Sequence, residues 1–220
     1  MVPFTLFHGT SSHYLAAFRP GTAPGGWSYK DAAVNLLRDA WSALRALNRE
    51  PNWYIVRTLD QSSGPSNWQH GELYVTPSKG SAVRYAGSGG TYGGELLTMC
   101  KEAINSLAEL DRDGAERLLQ DAKQLADLLR GGGRPILVEI VDVCESDLSP
   151  ETETDNVVQE LSSLAKLNPS IREALAQQMN FRLQPGSGTV ARVFNLEITN
   201  PNDPLSDFHS TEILGSALWS

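Results

Sequence analysis

Pro135–Cys144 reads PILVEIVDVC and gives the clearest strand pattern in the chain. Its Ile, Val and Leu residues favour extended backbone, because branched side chains pack well on a pleated surface. Other short runs of the same kind also predict strands. These further strands are Pro3–Phe7 (ending at His8), Trp53–Arg57, Leu73–Thr76, Thr189–Ile198 and Thr211–Trp219. Predicted strands therefore open and close the chain.

The segments between these strands carry apolar residues at helical spacing. The predicted helices are Ser28–Asn48, Lys79–Ala86, Glu95–Leu110, Asp113–Leu129, Val157–Leu167 and Pro169–Met179. Strands at both ends with helices between them predict an α+β fold. We expect one domain over residues 1–220, with helical insertions near 95–130 and 150–180. The short connection after Leu110 predicts an antiparallel helical hairpin.

Composition argues against several classes of protein, although it does not exclude a nucleic-acid substrate in a small basic pocket. A net charge of -8 disfavours a nucleic-acid binder, which needs Lys and Arg to neutralise phosphates, and suits a partner with a basic face. Cys100 and Cys144 are too few for a disulfide framework and are predicted to be buried thiols. No metal site is predicted, since no third ligand accompanies His8 and His13. No apolar run is long enough for a membrane span, and Met1–Phe4 lacks the start of a signal peptide.

Three short motifs follow one another along the chain. The first is Leu6–Thr10, which reads LFHGT, and the last is Ser210–Ile213, which reads STEI. Between them Gly71–Tyr74, which reads GELY, leads through a helix of small residues to Tyr85. Each motif alone is weak evidence for a site, because such short pieces occur by chance in many proteins. Their occurrence together and in this order is what points to a site. The glycine-rich segment 87–94 lacks the Gly-Lys-Ser/Thr ending of a phosphate loop and favours a linker.

Together the three motifs resemble the His-Tyr-Glu signature of the PARP-like, or diphtheria-toxin-like, ADP-ribosyltransferases, which consume NAD. The resemblance covers the first strand, residues 71–85 and the last strand. It implies two packed, antiparallel-rich sheets with an NAD cleft between them. The helical layout is also similar to that of bacterial effectors of the CteC-like family, which ADP-ribosylate host ubiquitin on a threonine.

The resemblance implies a catalytic set of Glu212, His8 and Tyr74. Breaking the bond between nicotinamide and ribose generates a ribosyl cation, which a nearby carboxylate stabilises. Glu212, at the start of the predicted last strand, matches that carboxylate, and such a preorganised group contributes about 100- to 1,000-fold in rate. His8 is expected to bond a ribose hydroxyl of NAD.

The remaining predicted NAD contacts come from the first motif and the helix after it. The Gly9 backbone would hold the carboxamide, because glycine lets a ligand approach the main chain closely. Thr10 would contact a further ribose hydroxyl. Tyr74 and Tyr85 would sandwich the nicotinamide ring, an electron-poor cation that prefers aromatic faces. Ser81 lies near the family serine that bonds the carboxamide.

Two assignments stay open at this point. Ser81 is one residue off the family register, and Ser78 competes with it for the carboxamide contact. Asp207 and His209 precede Glu212, where they either orient and deprotonate the acceptor or form a polar turn. The related arginine-specific toxins carry a carboxylate two residues before the catalytic glutamate. Ser210 holds that position here, and the first-strand residue is His8 and not Arg, which favours a hydroxyl or carboxyl acceptor over a guanidinium group.

The resemblance implies a monomeric, secreted bacterial effector that acts in the host cytoplasm, transfers ADP-ribose from NAD to a host protein and releases nicotinamide. Ubiquitin is one candidate target, and the helical insertions and the acidic segment 145–155 are predicted to select it. A targeting segment would then lie outside this chain. Three alternatives are an NAD glycohydrolase, a nucleic-acid-directed transferase and an inactive binding module on the same fold.

Overall fold

A computed structural model describes residues 1–18, 30–50, 59, 73–88, 95–130, 133–150, 156–184, 189–200, 203 and 205–218. The strands in these ranges are β1 (Leu6–Ser11), β2 (Leu73–Val75), β3 (Pro135–Val141), β4 (Leu148–Pro150), β5 (Phe181–Leu183), β6 (Val190–Ile198) and β7 (Phe208–Leu218). The α-helices are α1 (Lys30–Ala46), α2 (Lys79–Ser88), α3 (Glu95–Leu110), α4 (Arg112–Asp121), α5 (Lys123–Arg130), α6 (Val157–Ala165) and α7 (Pro169–Ala176). This mixture, with its antiparallel sheets, confirms the predicted α+β class.

The strands form two antiparallel sheets. One has the order β1-β3-β6-β7 and the other the order β2-β5-β4. A single bridge connects them: the Phe7 N–H donates to the Thr76 carbonyl at 2.8 Å, and the Thr76 N–H donates to the Phe7 carbonyl at 2.9 Å. The first motif therefore lies beside the middle motif, while the last motif lies on the far edge of the first motif's own sheet.

Both sheets contribute to one hydrophobic core, which we call the sheet core. Leu6 and Ile136 enter it from the first sheet, and Val75 and Phe181 enter it from the second. The other face of the first sheet carries α2, whose small residues pack on Leu137. Because apolar side chains line both faces of its central part, the first sheet is covered on both sides there.

Most of the helices form a core of their own, which we call the helical core. Here α1 packs against α3, with α4 and α5 beside them; Leu37, Cys100 and Leu107 have no exposed surface. The helices α6 and α7 behave differently, since Val157 and Leu161 of α6 pack into the sheet core. The insertion near 95–130 thus belongs with α1, while the insertion near 150–180 belongs with the sheets.

Several strand predictions need correction. β1 runs from Leu6 to Ser11 instead of ending at His8, because its whole length pairs with β3. β7 begins at Phe208 rather than Thr211, so Glu212 lies inside the strand and not at its start. Neither β4 nor β5 was predicted. Each has three residues and is held by pairing with the other.

The predicted helix Asp113–Leu129 is two helices. The break lies at Ala122, whose φ of -104° and ψ of 49° are not helical, and α5 begins one residue later. Asp111 caps α4 by accepting the Gly114 N–H at 2.8 Å. The other predicted helices are confirmed where the structure describes them. The predicted strand 53–57, the loop 62–68 and residues 151–155 of the acidic segment lie outside the described residues.

Candidate active site

His8 and Tyr74 are brought together by the bridge between the two sheets. The His8 Nδ1 lies 2.6 Å from the Tyr74 carbonyl oxygen. Since a carbonyl can only accept, the imidazole hydrogen is assigned to Nδ1. The first motif and the middle motif therefore meet through a side-chain hydrogen bond as well as through the backbone. Gly71 and Glu72, the first half of the middle motif, lie outside the described residues.

The His8 ring lies on the side of β1 that faces the sheet core. Its centroid is 6.0 Å from that of Phe18, and its Nε2 is buried. Burial lowers the pKa of His8 from 6.5 to about 4, against the smaller opposing effect of the bond to Tyr74. The ring is therefore neutral at pH 7. A ribose hydroxyl would reach Nε2 only if the surrounding side chains moved, and the predicted ribose contact stays a prediction.

Gly9 lies directly beneath the backbone of α2. A Cβ on Gly9 would stand 1.8 Å from the Ala82 carbonyl oxygen and 2.9 Å from the Ala86 nitrogen. The glycine is thus required for the close approach of a helix, and the contact of its backbone with the carboxamide stays a prediction. Thr10, on the opposite face of β1, is only 4% exposed. Any contact of Thr10 with a ribose would therefore also need a rearrangement.

The serines at the start of α2 are engaged with the segment around α7. The Ser78 hydroxyl donates to Glu173 Oε1 at 2.6 Å and accepts the Ser81 N–H at 3.1 Å, so it caps the helix. The Ser81 hydroxyl donates to the Gln177 carbonyl at 3.3 Å. This geometry gives both serines a structural role and does not distinguish between them as carboxamide ligands.

The two predicted ring-stacking tyrosines differ in exposure. Tyr85, near the end of α2, is 43% exposed, while Tyr74 is half-buried in β2. Ahead of Glu212, Asp207 and His209 are both exposed, and the His209 Nε2 is 4.0 Å from Asp207 Oδ1. That separation is longer than a hydrogen bond. The structure therefore does not organise Asp207 and His209 as a fixed pair.

Glu212 stands in the same lateral row of the first sheet as Gly9. Across the strands Gly9 is paired with Leu137, Leu137 with Phe194, and Phe194 with Glu212. Residues directly opposite one another in antiparallel strands share a face. The face here is the one that carries α2, and three strand spacings separate Gly9 from Glu212 by about 14 Å.

Phe194 is a candidate that the sequence did not reveal. It lies between the buried Leu137 and the exposed Glu212, and it is itself only partly buried at the margin of the cluster beneath α2. An aromatic side chain at this point forms an apolar floor next to the carboxylate. Its place in a strand of alternating apolar residues gave no signal, because core packing explains such a residue equally well.

Glu139 is a second residue of interest on this face, and the sequence does mark it, because it is the one charged residue inside the apolar strand PILVEIV. Its carboxylate lies 3.2 Å from the Lys79 Nζ and 4.0 Å from an Arg192 nitrogen. Lys79 begins α2, so this ion pair holds the start of the helix on the sheet. Because its partners are partly exposed, the pair positions α2 more than it stabilises the fold.

Comparison with known proteins adds no family to this description: no family model, no curated protein and no solved structure matches the chain. In the described part of the chain, no group of three or more His, Cys, Asp or Glu side chains could hold a metal ion. Over the same residues, no helix has the length and apolar character needed to cross a membrane.

Proposed function

We propose that the chain is an NAD-dependent mono-ADP-ribosyltransferase that modifies a protein. The observation that carries the proposal is the row from Gly9 to Glu212 on one face of one sheet. It puts the first and last motifs on one face of the sheet although they are far apart in the sequence; α2 covers this face at Gly9 and leaves Glu212 exposed. The contact between His8 and Tyr74 adds the middle motif at the β1 edge of this sheet, across the sheet from Glu212 and with the His8 ring on the opposite face.

Three groups on or beside this face would contact NAD. The exposed carboxylate of Glu212 would accept a hydrogen bond from a ribose hydroxyl, and Phe194 and the exposed Tyr85 would offer aromatic surface to the nicotinamide. The buried Nε2 of His8 and the buried Thr10 fit only after local movement. Binding would therefore involve an adjustment around β1, and the neutral His8 would act as a hydrogen-bonding group and not as a charge.

The proposed reaction breaks one bond and forms one. The bond between ribose C1′ and the nicotinamide nitrogen breaks, and its electron pair leaves with nicotinamide. The acceptor hydroxyl oxygen then bonds C1′ and loses its proton to Glu212 or to solvent. Glu212 lowers the barrier by placing negative charge beside the ribosyl cation at the moment it develops.

The first experiment measures nicotinamide release from NAD, alone and with eukaryotic lysate, together with labelling of protein by radiolabelled NAD. Glu212→Gln keeps the size and polarity of the side chain and removes its charge. We expect turnover to fall about 100-fold or more while the fold survives.

Glu197→Gln is the matched control, since Glu197 is an exposed glutamate of the same sheet that follows Leu196 and so points to the opposite face. Loss of turnover in the Glu197 variant with retention in the Glu212 variant would refute the assignment. Nicotinamide release without any labelled protein would replace the transferase by an NAD glycohydrolase. No turnover and no NAD binding would leave a binding module.

A further inference from the structure

β7 is an edge strand in the part of the chain that the structure describes, since the only strand there that pairs with it is β6. Residues 209–213 of β7 are exposed. An edge strand presents a row of backbone N–H and C=O groups that can pair with another extended chain, and natural proteins usually shorten or block such an edge. At eleven residues, β7 is the longest strand that the structure describes.

Only the first half of this edge is regular. Five consecutive pairs join β7 to β6, from Phe208 with Ile198 to Glu212 with Phe194. The register then shifts, because Leu214 pairs with Val193 and leaves Ile213 as an extra residue. A bulge of this kind bends the strand and interrupts the ladder. A chain added to the edge would therefore follow residues 208–212 and end beside Glu212.

The charge around this edge is one-sided. From Val193 to Ser220 the sequence contains no Lys and no Arg. The same segment carries four exposed carboxylates, at Glu197, Asp203, Asp207 and Glu212. A second copy of the chain added at this edge would bring like charges together, which is unfavourable. A segment that contains Lys or Arg would meet complementary charge.

We propose that residues 208–212 bind an extended, basic segment of the acceptor protein as an additional β-strand. Backbone hydrogen bonds along the edge would supply affinity, and the acidic surroundings would select the partner. The end of the regular ladder would set the acceptor hydroxyl beside Glu212. The role as acceptor rests on the proposed function, whereas the binding itself does not require NAD.

Direct binding of model peptides to the full chain, without NAD, tests the inference. The probe is a fluorescent peptide of alternating Lys and Thr, about eight residues long, which can span the regular edge. One control replaces Lys by Glu. A second replaces Thr by Pro and carries N-methyl groups on the Lys amides, so that no backbone amide hydrogen remains on either side of the strand. Fluorescence anisotropy should show the Lys-Thr peptide binding about tenfold more tightly than either control.

A charge reversal near the edge makes the test specific to this surface. Asp203→Lys should weaken the Lys-Thr peptide severalfold, whereas Glu109→Lys, the same change on an exposed residue of α3, should leave its binding unchanged. Equal binding of the Pro-containing peptide would mean attraction by charge alone and would overturn strand addition. Strand addition would also be overturned if the Lys-Thr peptide did not bind, or if two copies of the chain formed a dimer that competes with the peptide.

The same preparations separate this inference from the proposed function. NAD turnover without peptide binding would overturn the strand-addition proposal and leave the enzyme assignment standing. Peptide binding without NAD turnover would overturn the enzyme assignment, and the edge would then be a docking site for basic segments.

Discussion

Gly9 shows how much a single missing side chain can decide. Its absent Cβ is what allows α2 to lie on β1 within 1.8 Å of the position that this atom would occupy. Gly9→Ala must push the helix away, and we expect a loss of about 1–3 kcal/mol in the free energy of unfolding. Chemical denaturation followed by circular dichroism measures it.

Gly80→Ala is the matched control for this prediction. Gly80 lies in α2 itself, where a Cβ would have its nearest neighbour at 3.5 Å, an ordinary contact. Alanine is the better helix former, so this change should be neutral or stabilising by up to about 1 kcal/mol. Equal destabilisation by the two changes would show that contact with α2 is not what requires Gly9.

His8 should make stability depend on pH in a defined window. Above its ordinary pKa of 6.5 the imidazole is neutral in both the folded and the unfolded chain. Between pH 6.5 and 4 the unfolded chain takes up a proton that the folded chain, with a His8 pKa of about 4, does not. Stability therefore falls as the pH drops through this window, and below it the loss is complete.

The size of this loss is at most about 3 kcal/mol, and solvent contact of the residue reduces it. His8→Asn keeps a hydrogen-bond donor for the Tyr74 carbonyl and removes the titration. Melting temperatures measured from pH 7.5 to pH 4 should fall less steeply in this variant. Parallel curves for the two proteins would show that His8 is not a buried neutral imidazole.

The two cysteines should differ in reactivity, although both were predicted to be buried. Cys100 is buried and donates to the Ala33 carbonyl at 3.2 Å, and burial raises its pKa to about 12. Cys144 is partly exposed, which corrects the prediction for that residue. A thiol reagent should modify Cys144 in the native protein and reach Cys100 only on unfolding. Modification of both at one rate would contradict this burial.

At the scale of elements, Ser78 joins α2 to α7. Its hydroxyl caps α2 and at the same time donates to Glu173 Oε1 at 2.6 Å. Ser78→Ala removes both interactions at a fully buried position, so we expect a loss of about 1–2 kcal/mol in unfolding free energy.

Asn168→Ala removes an exposed cap that, among the described residues, makes no second interaction between elements, which makes it a matched control. It should weaken only the start of α7, by about 1 kcal/mol. Hydrogen exchange separates the two cases, since only the Ser78 variant should lose protection in α2. Unchanged protection of α2 would contradict the joint role of Ser78.

The sequence predicted long elements well and short ones poorly. β3 was predictable because Ile136, Leu137 and Val138 are apolar and branched without interruption. β4 and β5 were not, because three residues are too few to show an alternation and their stability comes from pairing. The break at Ala122 was not predictable either, because no Gly or Pro lies near it and the helical spacing of apolar residues continues through it.

The candidate site was predicted as a set of residues and not as a geometry. The order of the motifs in the sequence pointed to His8, Tyr74 and Glu212. The row of residues across the sheet that ends at Glu212 became visible only from the strand pairing. The early start of β7 was hidden because His209, Ser210 and Thr211 are polar residues on an exposed edge. Phe194 was hidden for the opposite reason, since it looked like any apolar strand residue.

At the scale of the whole molecule, the helices and the sheets have separate hydrophobic cores. Leu37 of the helical core and Leu137 beneath α2 are both fully buried, and truncation of either to Ala should destabilise the fold by about 2–5 kcal/mol. Only Leu137 belongs to the row that leads to Glu212. Leu137→Ala should therefore raise the KM for NAD severalfold, while Leu37→Ala should not.

This comparison is made well below the melting temperature of both variants, so that each is fully folded. Nicotinamide release over a range of NAD concentrations provides KM. If Leu37→Ala raised KM as much as Leu137→Ala, the helical core would have to take part in the NAD site. The prediction that the helices near 95–130 select the target, separately from NAD binding, would then be wrong.

The pairing of β1 also governs how the chain is assembled. β1 is synthesised before β3, yet Leu6 pairs with Ile140 of β3. β3 pairs in turn with β6, which is synthesised later still. α1 and the helices between 95 and 130 can close around their own core before β6 has been synthesised. Closing so long a loop is slow, because its entropy is lost before any contact compensates for it. β1 thus stays unpaired until β3 has been made and positioned, and until then its Leu6 and Phe7 are accessible to chaperones and to other chains.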